Sequence, residues 1–159
     1  MTDTPKTSSL RKRMVYVLPI AVLALLATVA AQIDDWSRDL TTNFAETSVA
    51  AEDPLDRPLA VVAEVEEIEQ AIRTFVENQP RWELKGSDSL PSIRSIFLTR
   101  KTKWLKFTDD VQVDIHYSQE PILVEISSQS RVGKGDLGQN PRNIRELNRA
   151  LREQLDVAK

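Results

Sequence analysis

The residues best suited to chemistry gather in the last third of the chain. Three of its four glycines, Gly133, Gly135 and Gly138, fall in the stretch Ser130-Arg131-Val132-Gly133-Lys134-Gly135-Asp136-Leu137-Gly138-Gln139-Asn140. Glycine at this density implies backbone turns that side chains forbid. The amides such turns expose, with Arg131, Lys134, Arg142 and Arg145 close in sequence, suit a phosphate or a carboxylate. Gly133 to Gly138 also reads G-x-G-x-x-G, the spacing of a dinucleotide-binding turn. That fingerprint requires a parallel strand returning after the helix, for which the residues up to Lys159 leave no room, and Pro141 sets the helix start too far past the last glycine. The anion reading stands beside a structural one: Asp136 and Asn140 cap the loop and the helix, and Arg131 pairs with a carboxylate from the sheet.

The other candidates are carboxylates. Asp109 and Asp110 are adjacent, and on extended backbone their side chains point to opposite faces, which favours one as a turn acceptor and the other as a partner for Arg131. A hydrolytic alternative uses Asp109, Asp110 or Asp136 as an acid-base pair or around a divalent metal such as calcium, although no glycine-spaced calcium loop is present. His116 is the only histidine and is expected to be solvated beside Tyr117. Ser130 has no assured base. With no cysteine, disulfides, thiolate catalysis and cysteine-based zinc sites are excluded. The candidate binding set is therefore Asp109, Asp110, Arg131, Gly133, Asp136, Gly138, Asn140 and Arg142, with no catalytic residue, metal ligand or cofactor assigned.

These residues need elements to hold them. Val61, Val65, Ile68, Ile72 and Phe75 recur at steps of four and three, which predicts an amphipathic helix of about four turns that Pro80 ends. Its glutamates, Glu64, Glu66, Glu67, Glu69 and Glu77, are read as a solvated face. Trp82 and Leu84 open a short strand, Lys85 to Asp88 reads as a turn, and Ile93 to Thr99 as a second strand. Lys101-Thr102-Lys103 reads as a basic turn, and Trp104 to Phe107 is again apolar. Val111, Val113 and Ile115, then Ile122, Val124 and Ile126, alternate with mostly polar residues and predict two further strands, each with one face for a core. Ser118 to Pro121 joins them as a hairpin. Asn140 is the expected N-cap and Pro141 the first residue of a last helix, whose stripe is Ile144, Leu147, Leu151 and Leu155. The expected fold is α+β: one antiparallel sheet of about four strands against two helices, over residues 58–159.

The N-terminal third differs. Arg11, Lys12 and Arg13 precede an uncharged run from Met14 to Ile33, closed by Asp34 and Asp35, and its length at about 1.5 Å per residue matches a hydrocarbon core of roughly 30 Å. Residues 14–33 are expected to form a transmembrane anchor after a cytoplasmic basic tail, 1–13. Retention of positive charge inside places everything after residue 33 outside the cytoplasm. A cleaved signal peptide, with Val29-Ala30-Ala31 near the cut, is the competing reading, and both give the same compartment. Residues 34–57 are polar and acidic and read as a linker or loosely packed lead-in, with Trp36 suited to the membrane interface. From Gln32 onward there are 17 Lys/Arg against 23 Asp/Glu, a balance that gives no footprint for nucleic acid.

Phe107, Asp109, Asp110 and Val111, then Ser128, Ser130 and Arg131, then Gly133, Asp136, Gly138, Asn140 and Ile144 together resemble the family catalogued as domain of unknown function 1499 (DUF1499). The resemblance covers about Thr41 to Leu155 and is specific from Phe107 to Ile144. Asn143 stands where the family pattern has arginine, preceded here by Arg142. Asn43-Phe44-Ala45-Glu46 stands where members usually carry an Asn-Cys-Val-Ser-like segment, so no role of that cysteine applies. The resemblance implies a domain often exported or membrane-attached, with no agreed activity. The combined expectation is a membrane-anchored extracytoplasmic module that binds a partner protein or a small anionic ligand through the glycine-rich strand-to-helix loop, with the hydrolase as alternative.

Overall fold

The computed structural model describes residues 8–31, 33, 35–103, 106–155 and 157, and side chains from residue 16 onward within these, except Val29. Helix α1, Ser8–Ala30, is followed by a short helix α2, Trp36–Thr41, strand β1, Phe44–Glu46, a 3-10 turn at Pro54–Asp56 and strand β2, Leu59–Val61. Then come helix α3, Val65–Asn78, strands β3, Trp82–Ser89, β4, Ile93–Lys101, β5, Thr108–His116, and β6, Ile122–Ser130, and helix α4, Gln139–Gln154. The strands form one sheet in the order β1-β6-β5-β4-β3, with β2 also on β6, and every pairing is antiparallel.

The α+β expectation holds, with six strands in place of about four. The two additions, β1 and β2, share the outer edge of β6, pairing Phe44 with Gln129 and Leu59 with Val124. At three residues each they are too short to carry an alternating signature. Residues 34–57, expected as a linker, hold α2, β1 and the 3-10 turn, and α4 pins them. Arg145 grips Asp56 at 2.8 and 2.7 Å, and Asn148, fully buried, donates to the carbonyls of Leu55 and Arg57.

Three local expectations are corrected. Val61 belongs to β2, because the chain is extended at the helix N-cap Glu64 (φ −77°, ψ 154°) and α3 starts at Val65. The turn expected at Lys85 to Asp88 is strand: β3 runs through it with a register slip between Leu84 and Gly86, and the chain reverses after Leu90, whose N–H reaches the Ile93 carbonyl. A polar run survives there because β3 is an edge strand, where bulges and exposed charges are tolerated. Asn140 is not the N-cap of α4. Gly138, in left-handed conformation at φ 74°, takes that place, and Asn140 is fully buried inside the first turn.

Ile68, Ile72 and Phe75 of α3 and Ile144, Leu147 and Leu151 of α4 bury their stripes on one face of the sheet. The inward sheet residues fall in rows set by the register. Ile96, Val113 and Ile126 form one row and Leu98, Val111 and Ser128 the next. One further level along, the row is Trp82, Arg100, Asp109 and Ser130, all buried. The core is thus apolar for most of its length and polar at the end where β6 leaves for α4.

The anchor expected over 14–33 falls largely on α1. The side chains of Met14, Val15 and Val29, and all of Gln32, lie outside the described residues, and among the described residues no helix is long and apolar enough to cross a membrane. Trp104 and Leu105 lie outside them as well.

Candidate functional site

At the polar end of the sheet a hydrogen-bond network ties Asn43, just before β1, to β5, β6 and α4. Ser130 Oγ donates to Asp109 Oδ1 at 2.7 Å, and Asn143 Nδ2 donates to Asp109 Oδ2 at 3.0 Å and to Ser128 Oγ at 3.1 Å. Ser128 Oγ donates to Asn140 Oδ1, and Asn140 Nδ2 reaches the Asn43 carbonyl at 2.7 Å and Ser130 Oγ at 3.3 Å. Asn43 in turn donates to the Gly133 carbonyl at 2.9 Å. The members from the sheet and α4 are almost wholly buried, and buried polar groups are stable only when paired in this way.

Asp136 organises the loop. Its two carboxylate oxygens accept from the backbone N–H groups of Gly138 at 2.9 Å and Asn140 at 2.7 Å, a favourable place for an anion at the start of α4. The Leu137 N–H goes to the Asp39 carbonyl of α2 at 2.9 Å. The amides of Leu137, Gly138, Gln139 and Asn140 are therefore occupied from within the chain. The positive charge beside the loop is carried by side chains.

That charge faces a cavity of about 570 Å³ bounded by the β4 end, Thr102, Lys103 and Phe107, the glycine-rich loop and the start of α4. Four cationic side chains line it, Arg81, Arg100, Lys103 and Arg142, against two anionic ones, Asp109 and Asp136. Both aspartates already have each oxygen hydrogen-bonded. Arg100 is different. It is 6% exposed, and its Nε and Nη1 are buried without a hydrogen-bond partner among the described residues. Glu146 Oε2 approaches Nε to 3.5 Å, close enough for attraction but without hydrogen-bond alignment. Burial lowers the Arg100 pKa from its ordinary value, Glu146 opposes this, and Arg81 lowers it further.

The sequence-derived residues divide between two faces. Asp109, Gly133, Asp136 and Arg142 line the cavity. Asp110 and Arg131 lie on the opposite, open face of the sheet, where Arg131 makes a two-pronged ion pair with Asp110 at 2.8 and 2.7 Å and both remain more than half exposed. The alternation that separates Asp109 from Asp110 is the one expected of adjacent residues on a strand. Gly138 and Asn140 build the helix start and the network. Of the carboxylates named for the hydrolytic alternative, Asp109 and Asp136 line the cavity and Asp110 lies across the sheet. Among the described residues no three His, Cys, Asp or Glu are placed to hold a metal ion. His116 sits at the far end of the sheet with Nε2 3.0 Å from Glu125.

Sequence reasoning missed Arg81, Arg100 and Lys103. For Arg100 a signal existed: in β4 it shares strand parity with Ile96 and Leu98, which places a guanidinium on the core face.

A family model described as "Protein of unknown function (DUF1499)" matches residues 29–151 of this chain. No curated protein matches it.

Proposed function

The chain belongs to the DUF1499 family of proteins of unknown function, and we propose that it is a membrane-tethered module whose cavity at the polar end of the sheet binds a carboxylate- or phosphate-bearing ligand. One observation carries the reading: the buried Arg100 guanidinium, with Nε and Nη1 unbonded among the described residues, beside an open cavity. Burying a cation without its hydrogen bonds costs several kcal/mol, a cost on the order of a domain's whole stability margin. A bound carboxylate or phosphate supplies two acceptors in the planar geometry a guanidinium matches. The excess of cations over anions around the cavity, in a chain of net charge −3, draws an anion to this place rather than to the surface at large.

The test is Arg100→Met in the full chain, melted with and without sodium phosphate or sodium acetate at constant ionic strength. The parent is expected to gain about 2.7 kcal/mol at an anion concentration 100 times the dissociation constant. The variant is expected to lose that response and, without anion, to be more stable than the parent by about 1–2 kcal/mol, because a buried guanidinium short of hydrogen bonds has been removed. A variant that still responds to anion, or that is destabilised, overturns the reading.

Tethering draws on the sequence and on the form of α1. The helix is continuous from Ser8 to Ala30, and Tyr16, Val17, Leu18, Ile20, Leu23, Leu25 and Leu26 are all more than half exposed. A helix apolar on every side requires apolar surroundings, and the Arg11-Lys12-Arg13 cluster keeps its N-terminus on the cytoplasmic side. The domain then lies outside the cytoplasm. The full-length chain is expected to stay with the membrane pellet through alkaline carbonate extraction, and its release into the supernatant would count against an anchor.

A further inference from the structure

The cavity is far larger than one anionic group needs, and part of its lining is apolar. Phe107, Val132 and Leu137 all line it while remaining 44%, 58% and 41% exposed. Leu137 is the most telling of the three. Its backbone is left-handed, with φ 54°, a region that disfavours every side chain except those of Gly, Asn and Asp. Leucine there combines a strained backbone with a side chain that folding leaves uncovered, and strain of this kind persists where it serves a site. The Leu137 N–H is bonded to the Asp39 carbonyl, so this apolar wall is docked on α2, six residues after the end of α1. A second hollow, of about 590 Å³ between α3 and the end of α4, has no buried unpartnered polar group among the described residues, and on the open sheet face Arg131 is already paired with Asp110.

Resting on the anion reading above, we infer that the ligand of this cavity is an anionic amphiphile, its head on Arg100 and its aliphatic body over Phe107, Val132 and Leu137. The head is a carboxylate or phosphate monoester, and the body is a chain of several methylenes. An apolar wall beside a fixed cation selects such a molecule over a bare anion, because the wall is dried only by a ligand that reaches it.

The experiment uses the full chain in phosphatidylcholine nanodiscs, titrated calorimetrically with methyl phosphate, hexyl phosphate and hexanol, with empty nanodiscs as reference. Each fully buried methylene is worth about fourfold in affinity, so hexyl phosphate is expected to bind about 30-fold or more tightly than methyl phosphate. That ratio is expected to fall toward one in the double variant Val132→Ser, Leu137→Asn. Asparagine suits the backbone of position 137 and removes its apolar reach. Arg100→Met is expected to abolish the preference for hexyl phosphate over hexanol. Equal binding of the two phosphates overturns the amphiphile while leaving the anion reading intact. Failure of both phosphates to bind overturns both, and hexanol binding as tightly as hexyl phosphate overturns the anionic head. Dihexanoyl phosphatidic acid competing with hexyl phosphate supports a membrane lipid as the source, and its failure to compete supports a free single-chain amphiphile.

Discussion

Asp109→Ala is expected to destabilise the domain by about 3 kcal/mol, seen as a lower urea midpoint with an unchanged slope. The carboxylate is 1% exposed and accepts from both Ser130 and Asn143. Alanine leaves two buried donors without an acceptor, each costing roughly 1–3 kcal/mol. The sum stays toward the lower part of that range because Asp109 and Ser130 border the cavity, where water can reach them. Asp109→Asn keeps the size and one acceptor and is expected to cost about 1 kcal/mol. For a domain of this size, the alanine variant should also melt about 10 °C lower. A midpoint within experimental error of the parent would mean that the network joining Asn43, β5, β6 and α4 contributes nothing net.

Gly135→Ala is expected to cost about as much by a different route. A Cβ on Gly135 would lie 2.4 Å from both the carbonyl carbon and the oxygen of Leu40, and 2.7 Å from the Asp39 oxygen. These are backbone atoms of α2, fixed by its own hydrogen bonds, so no rotamer change relieves the clash. Either the loop or α2 must move, which carries an overpacking cost of about 3 kcal/mol, and the bond from Leu137 to Asp39 two residues on is lost with it. Gly133→Ala is the useful comparison. There the obstacle is a left-handed backbone at φ 98° with one contact at 3.2 Å, and the expected cost is about 1 kcal/mol. Hydrogen exchange over residues 36–43 separates the two: Gly135→Ala should expose the α2 amides, and Gly133→Ala should leave them protected. Parent-like protection in Gly135→Ala would show that α2 is not held by this loop.

The α2 contact also bears on function. It places the cavity wall against the segment that follows α1, so a change in the seat of α2 is felt at Leu137. In the parent, Asp39 is buried and bonded by Arg38 at 2.7 Å, and Asp35 caps the helix. The junction is therefore a built part of the domain. The acidic, proline-containing composition of 34–57 suggested a linker because its order comes from partners far along the chain, Arg145 and Asn148 among them.

What the sequence determined by itself is whatever local periodicity encodes. The stripes of α3 and α4, the alternation in β5 and β6, and the opposed directions of Asp109 and Asp110 follow from helical and strand repeats of a few residues. The pairing of Arg131 with a sheet carboxylate and the capping role of Asp136 were legible too, because each joins complementary groups close in type and place. Tertiary structure decided the rest. Strands β1 and β2 exist only because β6 has an edge to offer. Asn140 left the expected cap position because the pocket between Ser128, Ser130 and Asn43 satisfies its amide better than solvent does. The amides of residues 137–140 at the helix start are spent on Asp136 and Asp39, and the buried cation beside the cavity is Arg100. Strand parity can place that guanidinium on the core face. That its Nε and Nη1 lack a hydrogen bond among the described residues is a property of everything folded around it, and no window of sequence contains that.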